Sequence, residues 1–132
     1  MTAHGSHAVA WPASVALVAF AAASSLDAHH NYNTRYQMTE TVTIDGRIVE
    51  IELRNPHSFL KIEAPDQEGH VQSWVIEWHS RALLQREGVT TSTLSIGDRV
   101  IVIGNPGRKP EDAHALFMQS IRRPADGWNW VP

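Results

Sequence analysis

The sequence predicts a small domain made mostly of β-strands, with one short helix. Three features of the chain indicate this class. Apolar and polar residues alternate with a period of two in several short segments, as they do in half-buried strands. Turn-forming residues such as Asn, Pro, Gly and Asp separate these segments at short intervals. One segment, residues 81–87, has the flanking residues of a helix.

The first predicted strand spans residues 41–53. Its apolar positions are even-numbered up to Ile48 and odd-numbered from Ile51. Such a change of parity within one strand predicts a β-bulge, and we expect Gly46 to supply the slack. Asn55-Pro56 ends the strand, because proline donates no hydrogen bond to a ladder.

Two further strands are predicted at residues 57–63 and 71–78, with a turn at residues 64–69 between them. Side chains alternate between the two faces of a strand. In the second of these strands one face carries Trp74, Ile76 and Trp78, and the other carries Ser73, Val75 and Glu77.

A short helix follows the third strand. Ser80 is the expected N-cap of a helix over residues 81–87, because its hydroxyl can accept a hydrogen bond from a first-turn amide. Gly88 then takes the position after the helix where a left-handed backbone is common. We expect Leu83 and Leu84 to plug one end of the strand assembly.

The last two strands are predicted at residues 99–104 and 113–121, with a polar loop at residues 105–112. The first of them is a continuous apolar run, so we expect both of its faces to be covered. This order of three strands, one helix and two strands is typical of the OB-fold, which is a closed barrel of five strands. We expect the five strands to be antiparallel. An open β-roll or sandwich is the alternative.

Composition agrees with one globular domain. The chain has 132 residues, is 42% hydrophobic and carries a formal net charge of -3. Eleven basic against fourteen acidic residues do not make a basic surface, so we predict no nucleic-acid partner. The chain has no cysteine, which excludes disulfides, thiolate metal sites and thiol nucleophiles.

The start of the chain is predicted to be a signal peptide. Residues 15–23 form an apolar block of the right length, which is too short to cross a bilayer. Leu26 and Ala28 fit the small-residue pattern of a cleavage site that would leave His29 first. Cleavage at this site would give a periplasmic or secreted protein without a transmembrane segment. The alternative is that the start of the chain is an amphipathic or disordered tail. The predicted organisation is a signal peptide (1–28), an N-terminal extension (29–38), the barrel (39–123) and a C-terminal tail (124–132).

Several local motifs resemble those of one protein family. They are His29-His30, Gly46-Arg47-Ile48, Asn55-Pro56-His57, Trp74 with Glu77, the helix end from Leu84 to Gly88, and Leu94, Gly97-Asp98 and Gly104. Through them the region from His29 to Gly127 resembles domain-of-unknown-function family 6152, a family of small exported bacterial proteins. The chain departs from the family at Asn31, where a serine is expected, and at Trp128, where a basic residue is expected. The resemblance implies an exported β-domain and brings no established activity.

Histidines dominate the candidate chemistry, since six of the eight lie after residue 28. A free amine at His29, its own imidazole and a second imidazole would form a nitrogen ligand set that suits Cu(II). We expect His57 to be the second imidazole, with His30 or His114 as substitutes. Asn55 either only shapes the turn or presents His57 at the barrel mouth. The alternative is a solvated histidine pair with no metal.

A second candidate site centres on the strand at residues 71–78. Trp74 and Trp78 are core residues by default, but exposed rings would form a stacking platform for a glycan or a small aromatic ligand. Glu77 is either an acid-base group beside this platform or a surface carboxylate paired with Arg81.

These patterns favour a binding or accessory module over an enzyme. The sequence has no nucleophile elbow, phosphate loop or dinucleotide-binding glycine pattern, and no second carboxylate at a spacing that suits glycosidase chemistry. The first hypothesis is a periplasmic copper-binding module. The second is a metal-free adaptor that binds a small ligand or a periplasmic protein through the aromatic barrel face.

Overall fold

The computed structural model describes residues 32–132, so the predicted signal peptide, His29 and His30 lie outside the described residues. The elements in chain order are β1 (Val42–Glu52), β2 (Ser58–Pro65), β3 (Val71–Trp78), α1 (Arg81–Arg86), β4 (Arg99–Pro106), β5 (Ala115–Arg123) and β6 (Trp128–Trp130). A helical turn at residues 32–35 precedes them, and a 3-10 helix at Pro110–Asp112 separates β4 from β5.

Strands β1 to β5 close into a barrel, which confirms the predicted OB-like fold and excludes the open roll or sandwich. β1 pairs with β2 and β4, β2 pairs with β3, and β4 pairs with β5, all antiparallel. β3 and β5 pair in parallel and close the ring. The expectation of a fully antiparallel barrel is wrong, because a closed ring with an odd number of strands must contain a parallel pair.

The predicted C-terminal tail contributes a sixth strand. β6 pairs antiparallel with the end of β5, with Ile121 opposite Trp130 and Arg123 opposite Trp128. Trp130 is buried, and its indole Nε1 donates a hydrogen bond to Glu87 Oε2 at 2.8 Å. This side chain therefore ties the end of the chain to the segment that follows α1.

The register of β1 with β2 shifts between Ile48 and Glu50, which confirms the predicted bulge. Gly46 precedes the shift and has another role. A Cβ atom at Gly46 would clash with the carbonyl oxygen of Glu63 and with the Ala64 side chain. Glycine at this position therefore allows β2 to approach β1 closely.

Helix α1 begins at Arg81 as the sequence predicts and ends at Arg86, one residue before the predicted end, with Glu87 as its C-cap. The Ser80 hydroxyl accepts a hydrogen bond from the Leu83 amide, and Gly88 has a φ of +84°. Leu84 is fully buried in the barrel core, whereas Leu83 is 37% exposed. The prediction that both leucines plug the barrel is wrong, because adjacent residues of a helix point about 100° apart.

Strand β4 is two residues longer than predicted and is not covered on both faces. Val100 and Val102 are fully buried, but Ile103 on the other face is 37% exposed. The continuous apolar run therefore conceals an ordinary alternation of buried and exposed positions. β5 begins at Ala115 instead of Ala113, because the 3-10 helix and its C-cap occupy the chain up to that residue.

The segment just before β1 lies against the barrel. Tyr36 forms an isolated antiparallel bridge with Gly107 and is almost fully buried. The Gln37 amide donates to the Pro106 carbonyl at 2.8 Å, and the Arg108 amide donates to the Arg35 carbonyl at 2.9 Å. These bonds hold the N-terminal segment over the outer face of β5 and β3.

Candidate functional site

Glu77 is a buried carboxylate on the outer face of the barrel. It lies on the face of β3 opposite Trp78, as the alternation predicts, yet it is only 5% exposed. The N-terminal segment buries it. Tyr36 Oη donates a hydrogen bond to Glu77 Oε2 at 2.6 Å, and Arg35 Nη1 donates to the same oxygen at 3.3 Å. The expected surface pairing with Arg81 is therefore wrong.

Arg35 links Glu77 to a second carboxylate. Its Nη2 donates to Asp112 Oδ1 at 3.0 Å, while its Nη1 contacts Glu77. A buried carboxylate is costly unless such donors compensate for the lost water. Arg35 and Tyr36 together therefore make burial of Glu77 possible.

The other oxygen of Glu77 faces His57. His57 Nδ1 lies 2.6 Å from Glu77 Oε1. An unprotonated nitrogen would repel the carboxylate oxygen at this distance, so Nδ1 carries a proton and Nε2 is the ring nitrogen left for another partner. The turn that carries His57 is closed by the Ser58 hydroxyl, which bonds both the amide and the carbonyl of Arg54 at 3.2 Å.

Aromatic rings surround His57. The Tyr32 ring lies 5.1 Å from the His57 ring and 4.3 Å from the Phe117 ring, centroid to centroid. Phe117 belongs to β5 and also contacts Tyr36, at 5.8 Å. The first residue that the structure describes therefore lies directly on His57.

His79 lies on the same outer face, two residues beyond Glu77. Its ring contacts Phe117 at 5.9 Å and Trp130 at 5.6 Å. Burial lowers the pKa of His79 from its ordinary 6.5; the Glu87 charge opposes this shift, and the charge of His57 adds to it. His79 is therefore neutral at pH 7, with a nitrogen lone pair available.

The two tyrosines of the site are protonated at neutral pH. Burial, with a smaller effect of the Glu77 charge, raises the pKa of Tyr32 to about 12. Burial and the hydrogen bond to Glu77 raise the pKa of Tyr36 further. Tyr36 is therefore a hydrogen-bond donor, and neither phenol supplies an anionic metal ligand.

Asn55 supports the helix. Its Oδ1 accepts a hydrogen bond from the Ala82 amide at 3.1 Å, so it joins Ser80 in satisfying free amides at the start of α1. Asn55 and Pro56 are joined by a cis peptide bond. The pair shapes the turn after β1, and His57 follows it at the rim of the barrel.

The tryptophans of β3 are core residues. Trp78 is fully buried, with its ring edge-on to Trp130 at 5.0 Å. Trp74 is 6% exposed, and its indole Nε1 donates to the Ala64 carbonyl at 3.1 Å. The alternative of an exposed stacking platform is therefore wrong, because both rings point into the barrel.

His114 lies apart from His57. Its ring packs edge-on against Trp74 at 5.0 Å. Both side chains line an open groove of about 530 Å³, together with Glu40, Asp66 and Glu68. No ring contact or ion pair joins His114 to His57 among residues 32–132.

One exposed turn groups three potential metal ligands. Asp66, Glu68 and His70 have ligand atoms within 4.8 Å of one another, and no other group of three occurs among the residues that the structure describes. Asp66 already accepts hydrogen bonds from the Glu68 and His70 amides. The carboxylate is therefore committed to shaping the turn.

Sequence reasoning missed four members of the site. Tyr32, Arg35 and Tyr36 fall in the segment taken as an N-terminal extension, where no periodic pattern indicates burial. His79 was detectable: extending the alternation of Val75 and Glu77 by two residues places it on the same face.

The chain is similar to mitochondrial single-stranded DNA binding proteins from S. cerevisiae, Rim1. One crystal form has a TM-score of 0.48 at 17% identity, covering 64% of this chain and 93% of that one. Another has a TM-score of 0.47 at 16% identity, covering 64% and 95%. DNA binding is a property of those proteins, and the absence of a nucleic-acid partner here stays a prediction.

No curated protein sequence matches the chain. Within residues 32–132, no helix has both the length and the apolar character needed to span a membrane.

A family model matches residues 15–116, more than half of the chain, and confirms the resemblance found in the sequence. The chain belongs to the family of unknown function DUF6152.

Proposed function

We propose that this protein is a copper-binding accessory module. The proposed ligands are the amine and the imidazole of His29, which become available when residues 1–28 are removed, and Nε2 of His57. The observation that carries the proposal is the 2.6 Å contact between His57 Nδ1 and Glu77 Oε1. His30 is the alternative N-terminal ligand.

The pairing of His57 with Glu77 supports a role as a metal ligand. Metal-binding histidines almost always direct their second ring nitrogen to a carboxylate or a carbonyl, which fixes the ring and strengthens the ligand. Glu77 is itself held by Tyr36 and Arg35. The His57 ring is therefore oriented before any metal arrives.

The position of Tyr32 supports the participation of the N-terminal histidines. Tyr32 contacts the His57 ring at 5.1 Å. His29 precedes Tyr32 by three residues, and three residues span at most about 10 Å. A ligand at His29 or His30 is therefore within reach of a metal on His57.

The charge of the site favours a cation. The carboxylates of Glu77 and Asp112 contribute two negative charges and Arg35 contributes one positive charge, which leaves -1 (-2 + 1). The imidazole of His79, whose pKa is lowered by burial, is neutral at pH 7 and adds nothing to this sum. A partly buried net negative charge attracts metal ions more strongly than a screened surface charge does.

Nitrogen ligands favour copper over the other divalent metals. Cu(II) heads the Irving–Williams order and accepts planar sets of amine and imidazole nitrogens. Tyr32 is no competitor, because its pKa of about 12 keeps the phenol protonated. The proposal also includes export to the periplasm or outside the cell, since the amine of His29 is free only after cleavage.

A titration of Cu(II) and Zn(II) into the chain that begins at His29 tests the proposal. We expect one Cu(II) per chain, bound more tightly than by the free peptide His-His-Asn. An added glycine before His29 should remove the tight site, because it takes away the chelating amine. His57→Ala should weaken binding about tenfold or more, which corresponds to about 1.4 kcal/mol.

His114→Ala is the matched control, since it removes an imidazole on the groove beside Trp74. Its Cu(II) affinity should equal that of the unmodified chain. Binding no tighter than that of the peptide would dismiss the proposal. An unchanged affinity with the added glycine would exclude the amine as a ligand.

A further inference from the structure

We propose that His79 is a second barrel ligand of the same metal ion, so that the ion is held between His57 and His79 on the rim of the barrel. This inference rests on the proposed function for the identity of the ion. It adds a residue that sequence analysis did not select, and it predicts metal binding by the barrel itself.

The two histidines flank one cross-strand pair. Ser58, the first residue of β2, lies opposite Trp78, the last residue of β3. His57 directly precedes Ser58 and His79 directly follows Trp78, and the Ser58 amide donates to the His79 carbonyl at 3.1 Å. His57 and His79 therefore lie at the same end of the β2–β3 pair, one just before β2 and the other just after β3.

Both rings lie on the outer face of the barrel. His57 contacts the Tyr32 ring at 5.1 Å, and His79 contacts the Phe117 ring at 5.9 Å. Tyr32 and Phe117 are themselves in contact, at 4.3 Å. The two imidazoles therefore border the same pair of aromatic rings, Tyr32 and Phe117.

The ring nitrogens are available. Within residues 32–132, neither ring nitrogen of His79 makes a hydrogen bond or an ion pair, and His57 uses only Nδ1. The His79 side chain is only half-buried, so its ring nitrogens remain accessible to an incoming metal ion. A metal ion bound to Nε2 of His57 would therefore find a second nitrogen ligand in the His79 ring.

The surroundings of His79 suit a metal ligand. Phe117 and Trp130 cover its ring with apolar surface. An apolar shell limits access of water to a metal and lowers the local dielectric constant, which strengthens the metal-ligand bonds. The carboxylate of Glu77, on the same face of β3, supplies the compensating negative charge.

Nitrogen NMR of the full 132-residue chain tests the inference, with Zn(II) as a diamagnetic probe. In this chain the His29 amine is in a peptide bond, so only the imidazoles are measured, and each ring nitrogen gives its own signal. We expect one ring nitrogen of His57 and one of His79 to shift together over the same range of Zn(II) concentration. His57→Phe should weaken the response of His79 about tenfold or more.

Two variants serve as the comparison. His79→Phe keeps a ring between Phe117 and Trp130 but offers no ligand, and it should weaken the Zn(II) response of His57 by a similar factor. His114→Phe should leave both responses unchanged. Melting curves establish that the variants are folded, and the spectra of the unmodified chain decide the question if His79→Phe is not.

The outcomes separate the two proposals. A shift at His57 without one at His79 overturns the inference and leaves His57 as a ligand. A response of neither ring also overturns it, and the Cu(II) titration of the chain that begins at His29 then decides the proposed function by itself. Coordination at both rings without any effect of the added glycine would support the inference and count against the amine.

Discussion

Tyr36 Oη donates a hydrogen bond of 2.6 Å to Glu77 Oε2, and this bond joins the N-terminal segment to β3 across 41 residues of sequence. It is the shorter of the two hydrogen bonds that this carboxylate oxygen accepts from the N-terminal segment, the other coming from Arg35 Nη1 at 3.3 Å. The same carboxylate orients His57 through its other oxygen. The stability of the N-terminal segment and the geometry of the proposed metal site therefore depend on one side chain.

Tyr36→Phe should reduce the free energy of unfolding by about 1.5–3 kcal/mol, the usual contribution of a hydrogen bond to a charged group. Chemical denaturation followed by tryptophan fluorescence measures it. Tyr32→Phe is the matched control, because the Tyr32 hydroxyl makes no hydrogen bond within residues 32–132, and its effect should stay below about 0.5 kcal/mol. Equal losses in the two variants would contradict the role given to the bond.

Glu77→Gln should lower the affinity for Cu(II) about 10- to 100-fold, because an amide pairs with the Nδ1 proton of His57 less strongly than a carboxylate does. Calorimetry of the chain that begins at His29 measures the change. Glu50→Gln, which alters an exposed carboxylate paired with Lys61, should have no effect. If both variants bind as the unmodified chain does, Glu77 does not orient the ligand.

Leu84→Ala should destabilise the protein by about 2–5 kcal/mol, because it opens a cavity in the fully buried end of the barrel. Leu83→Ala makes the same change on the exposed face of the same helix, and we expect a loss below about 1 kcal/mol. Denaturant midpoints of the two variants give the comparison. Similar midpoints would show that α1 does not plug the barrel through Leu84.

Asp98 should stabilise the fold in a pH-dependent way. The Ser95 amide and the Arg123 guanidinium, at 3.0 and 2.8 Å from Oδ2, hold its pKa below the ordinary value of 3.8. The folded protein therefore binds this proton less readily than the unfolded chain does, so the stabilisation is present above about pH 4 and disappears as the pH falls further.

Asp98→Asn removes this effect. The difference in free energy of unfolding between the unmodified chain and the variant should be largest near about pH 7 and shrink below about pH 4. Urea denaturation at a series of pH values measures it. A difference that stays constant over this range would mean that Asp98 acts through its hydrogen bonds and not through its charge.

Local patterns were sufficient for most of the barrel. The alternation at residues 71–78 placed β3 at its observed bounds, and the parity change between Ile48 and Ile51 indicated the bulge in β1. Ser80 and Gly88 marked the ends of α1. Each of these signals is short-range, since it depends on residues that are neighbours along the same element.

The candidate site was only partly accessible in this way. His57 and Glu77 were selected separately, one as a metal ligand and one as a ligand-binding or acid-base group. Their contact depends on the pairing of β2 with β3. Burial of Glu77 depends in addition on Tyr36, which comes from a segment without strand or helix periodicity.

The sequence by itself determined the five barrel strands, the helix caps and the OB-like class, because hydrophobic periodicity and capping chemistry act over a few residues. Only the tertiary structure decided the parallel pairing of β3 with β5, the burial of Trp74 and Trp78, and the meeting of Tyr32, His57 and Glu77 on one face. These features arise from contacts between residues far apart in the chain. They form because closing a five-stranded ring fixes which strand ends become neighbours.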